Sequence, residues 1–157
     1  SCIDKEKYLD FANNFFKGQS RAMDEDTFEY IYDVSDKVTW YVQAILHGIY
    51  EHSKDVIDRQ LVDDVVREII ESQSTAYQNY CAWLTENQQR LLTAIARERL
   101  VASPLGQKFI RSYNLPAVSS VKAALKSLVD KQLISKTPQG YYVSDRFFAK
   151  WLSGRVF

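Results

Sequence analysis

The sequence predicts a mainly α-helical protein: a helical bundle followed by a second module in which helices are closed by a small β-hairpin. Three observations predict it. Apolar residues recur at helical spacing along most of the 157 residues. The period turns extended near the C-terminal end, in Leu133-Ile134-Ser135-Lys136 and Tyr141-Tyr142-Val143 around the turn residues Thr137-Pro138-Gln139-Gly140. A formal net charge of zero conceals a change of sign, because residues 1–82 hold 8 Lys/Arg against 16 Asp/Glu and residues 83–157 hold 12 against 4. Fields of opposite sign suit two modules that dock on each other or meet different partners.

In the acidic half, Tyr8, Phe11, Phe15 and Phe16 recur at helical spacing before Gly18, which predicts a helix from about Asp4 to Lys17 with the aromatic stripe in the core. Asp24 or Asp26 is placed to cap a second helix carrying Phe28, Ile31, Tyr32 and Val34, with acids in its first turn where the helix dipole favours them. A third helix runs from about Thr39 through Trp40, Val42, Ala44, Ile45, Ile49 and Tyr50. From about Asp58 a long helix carries Leu61, Val62, Val65, Val66, Ile69, Ile70, Ala76, Tyr77, Tyr80, Trp83 and Leu84, with a break expected near 72–75. Thr85 and Gln88 then have the spacing of a capping box, so the boundary is expected at 84/85, dividing the chain into domains 1–84 and 85–157.

The basic half opens with a helix carrying Leu91, Leu92, Ile95 and Ala96. Ser103 as cap and Pro104 at the first position predict a second helix through Leu105, Phe109 and Ile110 to Asn114. After the Leu115-Pro116 corner, a third from about Ala117 to Lys131 buries Val118, Val121, Ala124, Leu125, Leu128 and Val129. The hairpin follows, and Asp145 caps a last helix containing Phe147, Phe148, Trp151 and Leu152. Three helices and a hairpin in that order are the parts of a winged helix-turn-helix with a small wing.

Several function classes lack their residues. Cys2 and Cys81 have no CxxC or Cys/His ligand spacing, so a surface thiol and a half-buried small apolar residue are expected rather than zinc. His47 and His52 stand five apart, off a common helix face, and read as ordinary helix residues. Ser119 and Ser120 lack a nucleophile elbow, and the paired acids Asp63-Asp64 diverge on one helix as a solvated face. No catalytic residue and no metal site is therefore expected. No apolar run reaches the ~18 residues that span a bilayer and no basic-then-apolar leader opens the chain, so the expectation is a cytoplasmic protein without a membrane partner. The opening Ser1-Cys2, with Met23 the only methionine, suggests a piece of a longer polypeptide.

The words LTENQQRLLTAIARE, LPAVSSVKAALKSLVDKQLI and GYYVSDRFFAKWL, preceded by KYLDFANNFF and SDKVTWYVQAILHGIY, span nearly the whole chain. Together they resemble the C-terminal lid and winged-helix region of archaeal-type AAA+ or STAND-like ATPases, of a kind that many Bacteroidetes also encode. The resemblance implies a parent that binds ATP and magnesium, and an upstream ATPase domain of the same polypeptide as partner. It also implies that the corner matched by Lys37-Val38-Thr39 and followed by Trp40 faces the nucleotide, making Lys37, Thr39 and Trp40 candidates. The family's glycine and proline are missing there, and a structural role, Thr39 capping a helix and Trp40 filling its core, stays open beside it. Gly18, Gly48, Gly106, Gly140 and Gly154 lie too far apart to form a Gly-x-x-x-x-Gly-Lys-[Ser/Thr] phosphate loop, so this chain alone is not expected to hydrolyse ATP or to carry a cofactor.

The third helix of the basic half leaves Ser119, Ser120, Lys122, Ala123, Lys126 and Asp130 for its exposed face. Base discrimination in the major groove rests chiefly on arginine, asparagine and glutamine, and this face has none of them. With Lys108, Arg111, Lys131 and Lys136, its lysines suit phosphates. The alternatives are specific DNA readout, sequence-tolerant contact with a DNA backbone, and an intramolecular or protein-binding surface.

Overall fold

The computed structural model describes residues 5–16, 23–52 and 56–154. Two compact units divide the chain, over residues 1–72 and 73–155.

The first unit holds α1 (Lys5–Phe16), α2 (Glu25–Val34), α3 (Thr39–Glu51) and α4 (Arg59–Ser72). The aromatic stripe expected to fill the core of α1 does not do so as a whole. Phe11 is 53% exposed, the buried position is Ala12, and the side chains of Tyr8, Phe15 and Phe16 lie outside the described residues. Asp24 rather than Asp26 caps α2, accepting the Thr27 amide at 2.6 Å, and this bond holds its carboxyl below the usual range. Phe28 and Ile31 of α2 are fully buried, as are Val42, Ile45 and Ile49 of α3 and Leu61, Val62 and Val66 of α4. The hydroxyl of Tyr30 donates to Asp63 Oδ1 at 2.7 Å, and burial followed by that bond pushes its pKa far up. Asp63 therefore ties α4 to α2 instead of forming a solvated pair with Asp64, which accepts from Gln60 and Arg67. His52 ends α3 and meets Glu68 of α4 at 3.1 Å, while His47 meets Glu51 at 3.4 Å. Gly48 lets α3 and α4 approach closely, since a Cβ there would lie 2.5 Å from Val65 Cγ1.

The second unit holds α5 (Ser74–Ala82), α6 (Glu86–Glu98), α7 (Gln107–Ser112), α8 (Val118–Asp130), β1 (Ile134–Thr137), β2 (Gly140–Val143) and α9 (Arg146–Ser153). Its first residue falls twelve positions before Thr85, where the sequence placed the boundary. The reason is packing. Tyr77 of α5 lies 5.0 Å from the Phe148 ring and 5.6 Å from Trp151, so α5 closes on α9. Residues 73–85 carry no charge, so the change of sign cannot place a boundary within them.

Thr85 and Gln88 form the capping box reciprocally at 3.3 and 3.1 Å. Thr85→Ala is expected to cost about 1 kcal/mol, read as a lower urea midpoint at unchanged slope. Gln89 Nε2 closes the preceding corner by donating to the carbonyls of Cys81 and Leu84 at 2.7 and 3.3 Å. Cys81 is half-buried and burial raises its thiol pKa, while Cys2 lies outside the described residues.

Helix α7 begins later than Ser103-Pro104 suggests. Val101 exchanges both backbone hydrogen bonds with Tyr141 at 2.9 Å, and Ser103 to Gly106 makes a turn, with the Gly106 amide bonding the Ser103 carbonyl at 3.0 Å. The bridge holds Val101 extended and the turn that follows takes up Ser103 to Gly106, so Gly106 becomes the cap. In α8 the buried face is Val121, Ala124, Leu125 and Leu128, whereas Val118, expected inside, is exposed and Val129 is half-buried. β1 and β2 pair antiparallel, Ile134 opposite Val143 and Thr137 opposite Gly140. Asp145 Oδ1 caps α9 by accepting from the amides of Phe147 and Phe148, both at 3.0 Å. Leu91, Leu92, Ile95, Leu128, Phe147 and Phe148 are the largest fully buried side chains of this unit. The order is that of the winged helix-turn-helix with a small hairpin wing.

Candidate functional site

The outer face of α8 bears Ser119, Lys122, Ala123, Lys126 and Asp130 exposed, with Ser120 at its edge. Its two lysines differ. Lys126 Nζ donates to Asp130 Oδ2 at 2.7 Å, and that bond raises its pKa, so its charge is matched within the face. Lys122 is exposed and has no such partner among the described residues. Lys131 points back to Gln88 Oε1 at 3.4 Å, and Gln88 Nε2 donates to Ser127 Oγ at 3.0 Å, pinning the start of α6 to the end of α8. On the wing, Lys136 lies over the Tyr141 ring at 5.5 Å and Arg146 over Tyr142 at 5.3 Å. Lys108 and Arg111 are exposed on α7. The predicted basic residues thus occupy three elements, and the unmatched charge on α8 itself comes from Lys122.

The nucleotide-facing candidates sit at the α2–α3 corner of the first unit. Asp36 and Lys37 take left-handed backbone with φ of 51° and 62°. Lys37 Nζ lies 5.9 Å from the Tyr32 ring centroid. The core-filling role open to Trp40 is not taken up. Val38 rather than Thr39 occupies the cap position, and Trp40 is 60% exposed, touching Tyr41 edge-on at 5.2 Å. The inward positions Val42, Ile45, Leu46 and Ile49 define one face of α3, and Trp40 falls off it. An exposed indole offers an apolar face on which a planar ring can stack. Nothing at this corner amounts to a phosphate cradle, and the described residues contain no His/Cys/Asp/Glu group that could hold a metal ion.

A family model described as "Probable winged helix domain" matches residues 75–154. The chain belongs to this winged-helix family. No curated protein matches it. Among solved structures it is similar to the Walker-type ATPase of Pyrococcus abyssi, with a TM-score of 0.69 and 14% identity over 96% of this chain. The chain spans 42% of that protein's length, and at this identity the likeness is one of fold.

Within the winged helix, α8 holds the place of the recognition helix and β1–β2 that of the wing. Leu115 turns the chain into α8 by bonding the Ile110 carbonyl through its amide at 2.9 Å. A second polar feature of this domain is not among the residues expected from the sequence. Gln89, Arg90, Thr93, Ala94 and Arg97 of α6 line a concavity of about 290 Å³ walled by Tyr113. Arg90, Thr93 and Arg97 are three and four residues apart, which on a helix is one face. That spacing is the signal in the sequence, and it lies behind the stronger apolar period of α6. No helix among the described residues is long and apolar enough to cross a membrane.

Proposed function

We propose that the chain is the C-terminal regulatory and interaction part of a larger ATP-binding protein of the AAA+ or STAND-like kind, its first unit a helical lid and its second a winged helix. The observation that carries this reading is the fold likeness to a Walker-type ATPase over 96% of the chain, combined with the absence of any phosphate-loop word in the sequence. On this reading ATP and magnesium belong to the upstream domain of the same polypeptide, the chain itself is not an enzyme, and the protein is cytoplasmic. Nucleotide bound upstream changes how the lid docks, with Lys37, Thr39 and Trp40 toward it, and the winged helix follows or presents a partner surface. A ligand shifts such an equilibrium only through contacts that differ between states. Hydrogen exchange of the intact parent should show α2 and α3 amides slowing when ATP is added. Equal exchange with and without nucleotide removes the switching role.

The basic charge of the second unit and the unmatched Lys122 favour one second reading, a module contacting DNA phosphates through Lys108, Arg111, Lys122, Lys131 and Lys136, with Ser119, Ser120 and Lys126 beside them. Retardation of duplex DNA should then be the same for unrelated sequences and fall on the order of a hundredfold between 50 and 200 mM salt, with Lys122→Gln reducing the salt slope by about one. Retention of one sequence at high salt would contradict a phosphate-only interface. A pure protein-interaction domain predicts neither nucleotide coupling nor retardation.

A further inference from the structure

The concavity between α6 and α7 has a composition that packing alone does not call for. Arginines at positions 90 and 97 stand roughly 10 Å apart along the helix axis, with Thr93 between them and buried Ala94 as the floor. Arg90 is held in place, since its guanidinium donates to the carbonyl of Asn114, the residue at φ 48° where α7 turns toward α8. A guanidinium has five N–H donors, so most of that group remains available. Arg97 is exposed and makes no hydrogen bond or ion pair among the described residues. On the opposite wall the Tyr113 hydroxyl donates to Glu98 Oε1, which engages that carboxylate with a proton donor. Gln89 spends its amide protons on the Cys81 and Leu84 carbonyls.

Two guanidinium forks and a hydroxyl facing one hollow are complementary to an oxyanion with several oxygens. A planar carboxylate satisfies one fork, whereas a tetrahedral phosphate can meet two. A volume of about 290 Å³ lies at the small end of ligand pockets, so the occupant is compact. We propose that the α6–α7 concavity is a phosphate-binding site in which Arg90 and Arg97 clasp a compact phosphate dianion over Thr93. The site is separate from the α8 face and independent of whether that face touches DNA.

The test is a nitrogen–proton spectral titration of the 157-residue chain with inorganic phosphate at constant ionic strength, chloride making up the balance. The expected result is saturable displacement of the Arg90 and Arg97 Nε–H signals and the Thr93 amide. Arg97→Gln, at an exposed position that leaves the Arg90–Asn114 bond in place, should weaken saturation at least tenfold. Lys122→Gln should leave it unchanged. Ribose 5-phosphate, run in parallel, distinguishes the source: saturation at lower concentration than inorganic phosphate assigns a phosphorylated small molecule, and equal concentrations assign free phosphate. Linear displacement without saturation, the same curve for Arg97→Gln, or equal weakening by Lys122→Gln would each overturn the site in favour of diffuse positive charge.

Discussion

Replacing Phe148 with alanine is expected to destabilise the winged-helix unit by about 3–5 kcal/mol. The side chain is 1% exposed, and its ring meets Tyr77 at 5.0 Å, Tyr80 edge-on at 5.9 Å and Trp151 stacked at 6.0 Å. Removing it leaves a ring-sized cavity between α5 and α9, and the rings around it are too large to collapse inward without leaving their rotamers. Tyr77 would lose most: burial, ahead of the Asp145 charge, pushes its hydroxyl pKa up, and opening the cluster to water relaxes that shift. The companion change Trp83→Ala deletes a larger aromatic that is 86% exposed on the same unit, and should stay within about 0.5 kcal/mol. Urea unfolding followed by circular dichroism decides it. A loss below 1 kcal/mol for Phe148→Ala would show that α5 does not share the core of α9.

Gly140→Ala is expected to cost about 3 kcal/mol or more, for two separate reasons. Its φ of 145° belongs to a region open in practice to glycine, where another residue carries about 1–3 kcal/mol of strain. A Cβ would also lie 2.5 Å from the Val101 carbonyl oxygen and 2.9 Å from Ala102 Cα, backbone atoms that cannot rotate away, adding a further ~1–3 kcal/mol. Gly154 shows a milder backbone strain without the clash: its φ of 64° is left-handed but nothing lies within 4 Å of the added carbon, so Gly154→Ala should cost about 1 kcal/mol. Thermal unfolding of the two variants side by side checks the ordering. Equal losses would mean that the Val101–Tyr141 bridge shifts without penalty.

The elements that could be read in the sequence are those whose signal is local. The Thr85/Gln88 capping box, the Asp145 cap and the turn before Gly140 each lie within a few residues, and each stands where the sequence put it. What escaped was set by distant partners. Ser103-Pro104 has the look of a helix start, but Val101 is bonded to a strand far along the chain and a turn from Ser103 to Gly106 follows it, so the helix starts only after Gly106. Val118 and Trp40 are apolar residues in the first turns of their helices, where the buried face is fixed by which neighbour packs against it rather than by hydrophobicity. The candidate face on α8 was legible because subtracting its apolar positions leaves it behind. The Lys126–Asp130 bond that halves its free charge was visible as an i, i+4 pair, yet its weight against phosphate binding becomes plain only beside the unmatched Lys122. Arg90 and Arg97 needed the Tyr113 wall to become a hollow at all.

The exchange of two hydrogen bonds between Val101 and Tyr141 also bears on how the protein avoids sticking to itself. A two-stranded ribbon offers unpaired amides along both margins, and such margins recruit strands from other molecules. Here residue 101 occupies part of the margin of β2, and Gly140 leaves no room for a bulkier backbone to displace it. Intermolecular strand addition is thereby hindered along that part of β2, and on the β1 side the exposed Lys136 places a charge that opposes stacking with a second copy.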